Sequence, residues 1–280
     1  MEDKPMQKKI AVINDLSGYG RCSLTVAIPV LSAMGHQCCP VPTAILSNHT
    51  EFPVYFFDDY TEKMTPYTDK WKELGLSFDA IATGFLGSEA QIQIVMDIIQ
   101  KLDAEKTFVV VDPVMGDHGH AYETYTPEMC EQMKELVCMA DVVLPNVTEC
   151  CILTDTPYKE ENWTRKELLN MAMMLRLMGA KSVVITGVRE GSYYTNVVLE
   201  QGQYDARFIR TKSSGGERPG TGDVFSSVVA GALLNGKSLP EAVTQAAGFV
   251  KDCIKVSDEE QIPHANGVCF EKILGKLIKK

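Results

Sequence analysis

An α/β domain with a doubly wound, mostly parallel sheet flanked by helices is the fold class this sequence predicts. Three observations predict it. Short runs of four or five apolar, mostly β-branched residues recur along the chain, single amphipathic stretches separate them, and no linker, internal repeat or low-complexity segment interrupts the series. Strands that are apolar on both faces belong to a sheet covered on both sides, and one helix between successive strands makes them parallel. The 280 residues then form one domain spanning 1–280, large but within the range of single α/β folds.

The elements follow in order. Residues 10–13 read as a buried strand, followed by a glycine-containing turn and a helix over 21–34. Residues 38–46 are a second extended run broken by prolines. Further strands fall at 80–83, 108–111, 142–144 and 183–186, with helices at 89–102, 128–139 and 166–178 between them. The runs 193–199 and 204–211 flank a Glu200-Gln-Gly-Gln203 turn and read as an antiparallel hairpin. Helices over 224–234, 241–256 and 270–279 close the chain, and the patch 213–219 (SSGGERP) reads as a polar, flexible loop.

Composition narrows the function. Hydrophobic residues make up 45% and charged residues 23%, as in a soluble globular protein. A net charge of −10 without a long basic run argues against nucleic acid and anionic membrane surfaces as partners. The nine cysteines include the adjacent pairs Cys38-Cys39 and Cys150-Cys151 and no C-x-x-C, so they read as small hydrophobes in a reducing compartment. Residues 1–9 are polar and basic with no apolar stretch behind them, and no run approaches the length of a membrane span. The expectation is a cytoplasmic protein.

Two motif matches carry little. Gly231-Ala-Leu-Leu-Asn-Gly236-Lys237-Ser238 fits a phosphate-binding loop string, but it begins inside a predicted helix and ends it, whereas such a loop must open one. Gly18-Tyr-Gly20 lacks the third glycine and the strand-terminal acid of a dinucleotide site. His36, His118, His120 and His264 show no metal-ligand spacing.

Three segments carry chemistry. In Pro219-Gly-Thr-Gly-Asp-Val-Phe-Ser226 a flexible loop ends and a helix begins. Gly220 and Gly222 let unencumbered N–H groups converge where the helix dipole is positive, an anion hole suited to a transferred phosphoryl group. Asp223 in the first turn is either a proton acceptor beside that hole or a common helix N-terminal acid. Val109-Val-Val-Asp112-Pro-Val-Met-Gly-Asp117 sets two acids at or past the carboxyl end of a strand. In Leu144-Pro-Asn146-Val-Thr-Glu149, Asn146 and Glu149 share one helix face. They are either oxygen ligands near Mg²⁺ or a capping box.

Gly220-Thr-Gly-Asp223, Asp112-Pro-Val-Met-Gly116 and Asn146-x-x-Glu149 occur in the order and spacing of the ribokinase-like vitamin kinases, and from about residue 10 to residue 250 the chain resembles that family. Ser47-Asn-His-Thr50 looks like the pyridoxal kinase substrate motif, and Thr83-Gly-Phe-Leu-Gly-Ser88 is similar to that family's Ser-Gly-Tyr-Leu-Gly-Ser. Asn14-Asp-Leu-Ser-Gly18 looks more like the Asp-Pro-Ser-Gly turn of the hydroxymethylpyrimidine kinases, Phe85 stands in place of tyrosine, and the lid segment 213–219 has no cysteine.

The resemblance implies a ribokinase-like fold and ATP-dependent phosphorylation of the hydroxymethyl group of pyridoxal, pyridoxine and pyridoxamine. Hydroxymethylpyrimidine is the alternative substrate, and a non-catalytic vitamin-binding protein the alternative class. Asp223 is carried over as the base, with Gly220, Thr221 and Gly222 as the anion hole. Asp112, Asn146, Glu149 and Thr186 are placed on the nucleotide, and Asp112, Asp117 and Glu149 around Mg²⁺. Asp15, Ser17, Asn48 and Thr50 are expected to meet the substrate's polar atoms, with the Asp15 carboxylate pointing into the pocket and Phe85 on the ring face. MgATP, a monovalent cation such as K⁺ and a homodimer complete what the resemblance implies.

Overall fold

The computed structural model describes residues 7–102 and 107–278. Most of the polar start and position 279 of the predicted last helix lie outside the described residues. The chain opens with β1 (Lys9–Tyr19), α1 (Ser23–Ala33), β2 (Gln37–Asn48), β3 (Phe57–Asp59) and α2 (Thr61–Glu73). Then come β4 (Ala80–Thr83), α3 (Glu89–Leu102), β5 (Phe108–Val111) and a short pair, β6 (Gly116–Asp117) and β7 (His120–Ala121). Next are α4 (Pro127–Cys138), β8 (Val142–Val143), α5 (Val147–Leu153) and α6 (Arg165–Met178). The chain ends with β9 (Ser182–Glu190), β10 (Tyr193–Leu199), β11 (Arg207–Lys212), α7 (Thr221–Leu234) and α8 (Leu239–Glu259).

The main sheet runs β11-β10-β9-β8-β5-β4-β1-β2-β3. Pairing is parallel from β2 through β9, and antiparallel for β3 at one edge and for β10 and β11 at the other. The doubly wound class and the predicted hairpin therefore hold. The two-residue period of a strand explains both covered faces. Ile10, Val12, Val110, Val142 and Val184 pack against α1, α7 and α8, while Ala11, Ile13, Val109, Val111 and Val143 pack under α2 to α6.

Several boundaries differ from expectation. β1 runs past residue 13 to Tyr19, because β2 pairs with it as far as Asn48 even though its later residues are polar. β2 tolerates Pro40 and Pro42 because β3 pairs only with Ala44 to Leu46. The Pro40 carbonyl accepts from the Tyr67 hydroxyl at 3.0 Å, so this stretch turns its missing N–H groups to the strand-free edge. Helix α2 escaped the sequence reading. It contains Pro66 and fully buries only Met64 and Thr68, too few apolar positions for a periodic signal.

The predicted helix from 270 is a 3₁₀ segment, Glu271–Leu277. The patch 213–219 is tied down: the Ser214 hydroxyl donates to the Lys251 carbonyl at 2.7 Å, and Arg218 reaches the Ile262 carbonyl and Asp258, both at 2.9 Å. The phosphate-loop string is the end of α7 and the cap of α8, with Lys237 donating to Gln245. All nine cysteines are free; Cys150 and Cys151 are buried, Cys38 and Cys39 half-buried and Cys138 exposed. No helix among the described residues is long and apolar enough to cross a membrane.

Candidate functional site

β1 has β2 on one side and β4 on the other, so the winding direction reverses there and a crevice opens at the carboxyl ends of β1 and β4. Asn14 occupies it. Its Oδ1 accepts from the backbone N–H groups of Asp15 and Phe85, both at 2.9 Å, and its Nδ2 donates to Asp223 Oδ1 at 3.2 Å. One carboxamide thus fastens β1, the turn after β4 and the head of α7. Gly84 makes room for it, since a side chain there would overlap the Asn14 amide. The sequence reading passed over Asn14. Its signal was a polar residue directly after four strand residues, 6% exposed in the fold.

α7 begins at Gly220, whose φ of 78° is left-handed and whose missing side chain would overlap the Arg21 carbonyl. That glycine is required by both conformation and space. Side chains of Thr126, Asn146 and Thr164 cap α4, α5 and α6, but no side chain caps α7. Its first amides stay available to an anion. Thr221 turns its hydroxyl back to the Arg218 carbonyl at 3.0 Å, and a methyl group on Gly222 would meet nothing within 4 Å. The open side of the helix head is therefore at Gly222.

Asp223 lies one residue further in. Burial pushes its carboxyl up to about 6, the backbone N–H of Ser23 opposes the shift, and the neighbouring Asp15 adds to it. A group with that value is mostly ionised at neutral pH yet basic enough to take a proton. Ser23, also missed, holds both acids. Its backbone N–H faces Asp223, its hydroxyl donates to Asp15 Oδ1 at 2.5 Å, and its own φ is +52°. A non-glycine residue held there marks a site where strain is tolerated for position.

Asp15 departs from expectation. It lies within β1 rather than after it, is 6% exposed, and receives the Ser17 hydroxyl at 2.8 Å as well as that of Ser23. Its carboxylate is turned inward onto two serines instead of into an open pocket, and burial pushes its pKa up. Ser17, 1% exposed, spends its hydroxyl on Asp15.

The second cluster sits past the carboxyl ends of β5 and β8 and beside the middle of β9. Asn146 and Glu149 form a complete capping box: Asn146 Oδ1 accepts from the Glu149 N–H at 2.9 Å, and Glu149 Oε2 accepts from the Asn146 N–H at 2.7 Å. Glu149 Oε1 accepts from the Met115 N–H at 3.0 Å, and the Asn146 amide donates to the Gly116 carbonyl at 2.8 Å. Burial pushes Glu149 up to about 7 despite these amides. Asp112 is raised by burial and then by Glu149 and Asp223, while Ser226 donates to it. Thr186 bridges to Asn146 and donates its N–H to the Pro145 carbonyl at 2.8 Å.

Asp117 is exposed on β6 with its Oδ1 taken by the His118 N–H at 2.8 Å, and its charge adds to the raising of Glu149. Among the described residues no group of three or more His, Cys, Asp or Glu side chains is placed to hold a metal ion. The expected set of Asp112, Asp117 and Glu149 is thus no ready-made cage, because Glu149 already serves backbone amides. A raised Asp112 beside two further acids still suits a cation that arrives with its own phosphate and water ligands.

Of the other expected residues, Asn48 ends β2 and donates to the Val54 carbonyl at 2.9 Å. Thr50 is exposed in the next loop with no hydrogen bond among the described residues. The half-buried Phe85 follows β4, with its carbonyl accepting from the Thr43 hydroxyl at 3.0 Å.

The sequence profile of the phosphomethylpyrimidine kinase family matches residues 27–269. The chain belongs to that family. It is similar, at 40% identity and a TM-score of 0.95, to the crystal structure of a candidate phosphomethylpyrimidine kinase of Bacteroides thetaiotaomicron, covering 100% of this chain and 97% of that one. Another crystal form of that protein, with pyridoxal, is 41% identical over 97% of this chain and 96% of the other, with a TM-score of 0.91. A pyridoxine/pyridoxal/pyridoxamine kinase of Bordetella avium is 26% identical over 92% of this chain and 90% of its own. A hydroxymethylpyrimidine/phosphomethylpyrimidine kinase of Aquifex aeolicus is 32% identical over 61% of this chain, which spans 66% of that relative.

Proposed function

We propose that this chain transfers the γ-phosphoryl group of ATP to the 5′-hydroxymethyl group of B6 vitamers (pyridoxal, pyridoxine and pyridoxamine) in salvage of pyridoxal phosphate. One observation carries the reading: Asp223, ionised at neutral pH and held by Asn14 and Ser23, stands beside the uncapped head of α7 and its open Gly222. The vitamer's CH₂OH gives its proton to the Asp223 carboxylate as its oxygen attacks phosphorus. The amides of Gly220, Thr221 and Gly222 meet the charge on the transferred group, which is where positioned donors lower a phosphoryl-transfer barrier.

Mg²⁺ brought with ATP would lie against Asp112 and, through water, Glu149, where it neutralises phosphate charge. Asn146 and Thr186 border the nucleotide on the same edge, and Asp117 lies at its exposed margin. On the vitamin side the ring rests against Phe85, with Asn48 and Thr50 reaching its polar atoms. Asp15 and Ser17 act from beneath, as the charge that sets the basicity of Asp223. A monovalent cation such as K⁺, a homodimer and a cytoplasmic setting belong to the proposal by resemblance.

A second reading, phosphorylation of hydroxymethylpyrimidine, is favoured by the family profile and by the Asp15-Leu-Ser-Gly18 turn. The deciding experiment measures kcat/KM for pyridoxal, pyridoxine, pyridoxamine and hydroxymethylpyrimidine with MgATP. Higher values for the three vitamers are expected. A preference for the pyrimidine overturns the vitamin assignment and leaves the kinase standing. Binding of both ligands with no turnover makes the chain a binding protein.

A further inference from the structure

The head of α7 owes its position to a turn from the other end of the chain. The carbonyl of Arg21, between β1 and α1, lies so close to Gly220 that any side chain there would overlap it. Two residues on, the Ser23 N–H faces Asp223. The turn 21–23 therefore touches both the start of the uncapped helix and the acid beside it. Whatever holds the turn holds both.

On the outer side a cleft of about 250 Å³ separates residues 18–21 from Asn266 and Glu271, so polar tethers hold the turn there more than packing does. Arg21 Nε donates to Glu271 Oε1 at 2.7 Å, and its Nη1 donates to the Asn266 carbonyl at 2.9 Å. The His49 ring fills the space that Gly20 leaves free, and its Nε2 donates to the Ala265 carbonyl at 2.7 Å. The same C-terminal segment grips the loop that leads into α7. Arg218 reaches the Ile262 carbonyl, and His264 Nε2 donates to the Glu217 carbonyl, both at 2.9 Å. Gly267 sits where a side chain would crowd the carbonyls of Arg21 and Pro219 together. Residues 262–271 thus back both stretches of chain that meet at Gly220.

We propose that Arg21 is a positioning residue for phosphoryl transfer. Its guanidinium, anchored on Glu271 and the Asn266 carbonyl, holds the turn against Gly220 and so keeps the α7 amides and Asp223 in register with the transferred group. The inference rests on the reading of the α7 head as an anion hole. An ion pair whose acid is 51% exposed adds little to stability. A small misplacement at a reacting centre, in contrast, costs up to ~10² in rate. Loss of Arg21 should therefore appear in kcat and hardly in Tm.

The test measures kcat, both KM values and Tm with pyridoxal and MgATP for the parent, Arg21→Met, Arg21→Lys, Glu271→Ala and the double variant Arg21→Met/Glu271→Ala. Calorimetry adds the Kd of MgADP with and without aluminium fluoride, which mimics the phosphoryl group in transfer. Arg21→Met should lower kcat about ten- to hundredfold with KM and Tm little changed. It should weaken binding of the fluoride complex and leave that of MgADP alone unaltered. Arg21→Lys, which keeps a cation for Glu271, should recover most of the loss, and the double variant should be no slower than Arg21→Met. A kcat for Arg21→Met equal to the parent's overturns the proposal, even where Tm falls, because a merely structural ion pair moves only Tm. Losses that multiply in the double variant overturn it too, since Arg21 and Glu271 would then act apart. Failure of the anion-hole reading is a separate result, seen in the parent alone as equal affinity for MgADP with and without the fluoride.

Discussion

The heads of α5 and α7 look alike as sequence and differ in what their acids can do. Each follows a strand or loop at the carboxyl edge and carries an acid in its first turn. At α5 the acid is spent on backbone: Glu149 Oε2 accepts from its own cap, Oε1 accepts from the Met115 amide beyond the helix, and Asn146 completes the box. At α7 the cap is a glycine with no side chain to offer, and Asp223 is held by Asn14 and Ser23 from outside the helix as well as by its own N–H. A first-turn acid is thus a structural part when both its oxygens are taken by backbone amides within a complete capping box. It is open to chemistry where no side chain caps the helix and the first amides stay unpaired.

The largest effect should come from Asp223→Ala. General bases contribute ~10² to 10⁴ in rate, and kcat should fall by that order while the Kd values for ATP and pyridoxal change little. A fall in kcat smaller than about tenfold would place Asp223 with Glu149 on the structural side of the comparison.

Asn146→Ala removes a cap worth ~1 kcal/mol, so Tm should drop by a few degrees (~3 °C). The Mg²⁺ concentration for half-maximal rate should rise as well, because the variant loses a side-chain oxygen beside Glu149 and the amide that holds the Gly116 carbonyl, although the backbone donors to Glu149 remain. Magnesium titrations that overlay the parent would show that α5 only caps itself.

A smaller change is expected from Asp15→Asn. Asp223 works as base only when ionised, so activity is lost as pH falls through about 6. Asp15 is one of the charges that raise that value. Removing it should move the acid limb to lower pH, by less than about one unit, with Ser17 and Ser23 still able to bond the amide. A limb that moves up would assign Asp15 a supporting role instead of an opposing one.

No effect is expected from Lys237→Ala at the far end of α7. Its ammonium contacts Gln245 on the surface. Lost ATP binding in this variant, measured by calorimetry, would contradict the assignment of the phosphate site to the other end of the helix.

The layered fold was legible because apolar strand runs such as Val109 to Val111 alternate between two cores that each need filling. The residues alone left Asp223 between a proton acceptor and a helix N-terminal acid, while the place of Gly220, Gly222 and Asp223 at a helix head was legible because glycines end a loop where a low-charge helix begins. Asn14 and Ser23 were not, since their roles exist only once α7 folds back over β1, and no local pattern announces a partner from the far end of the chain. The orientation of Asp15 was misread for a related reason. β1 was expected to end at its last apolar residue, whereas β2 pairs with it through Tyr19. Helix α2 and the 3₁₀ segment at Glu271–Leu277 are shaped by what they pack on more than by their own periodicity.

The bond from Asn14 to Asp223 spans 209 positions, and Arg21, whose carbonyl crowds Gly220, is bonded to Glu271 250 positions away. During synthesis, then, Asn14 emerges long before the carboxylate its amide donates to. At ~5 to 20 residues per second the ribosome takes on the order of ten seconds or more to deliver α7. Until it arrives, β1 to β5 can associate as a layered intermediate with one face covered by α1 alone, the face that α7 and α8 will complete. Such long-range closure slows folding and exposes apolar surface while it waits. A chain that stops short of α7 is therefore left with a half-covered sheet, prone to aggregate, in addition to lacking Asp223.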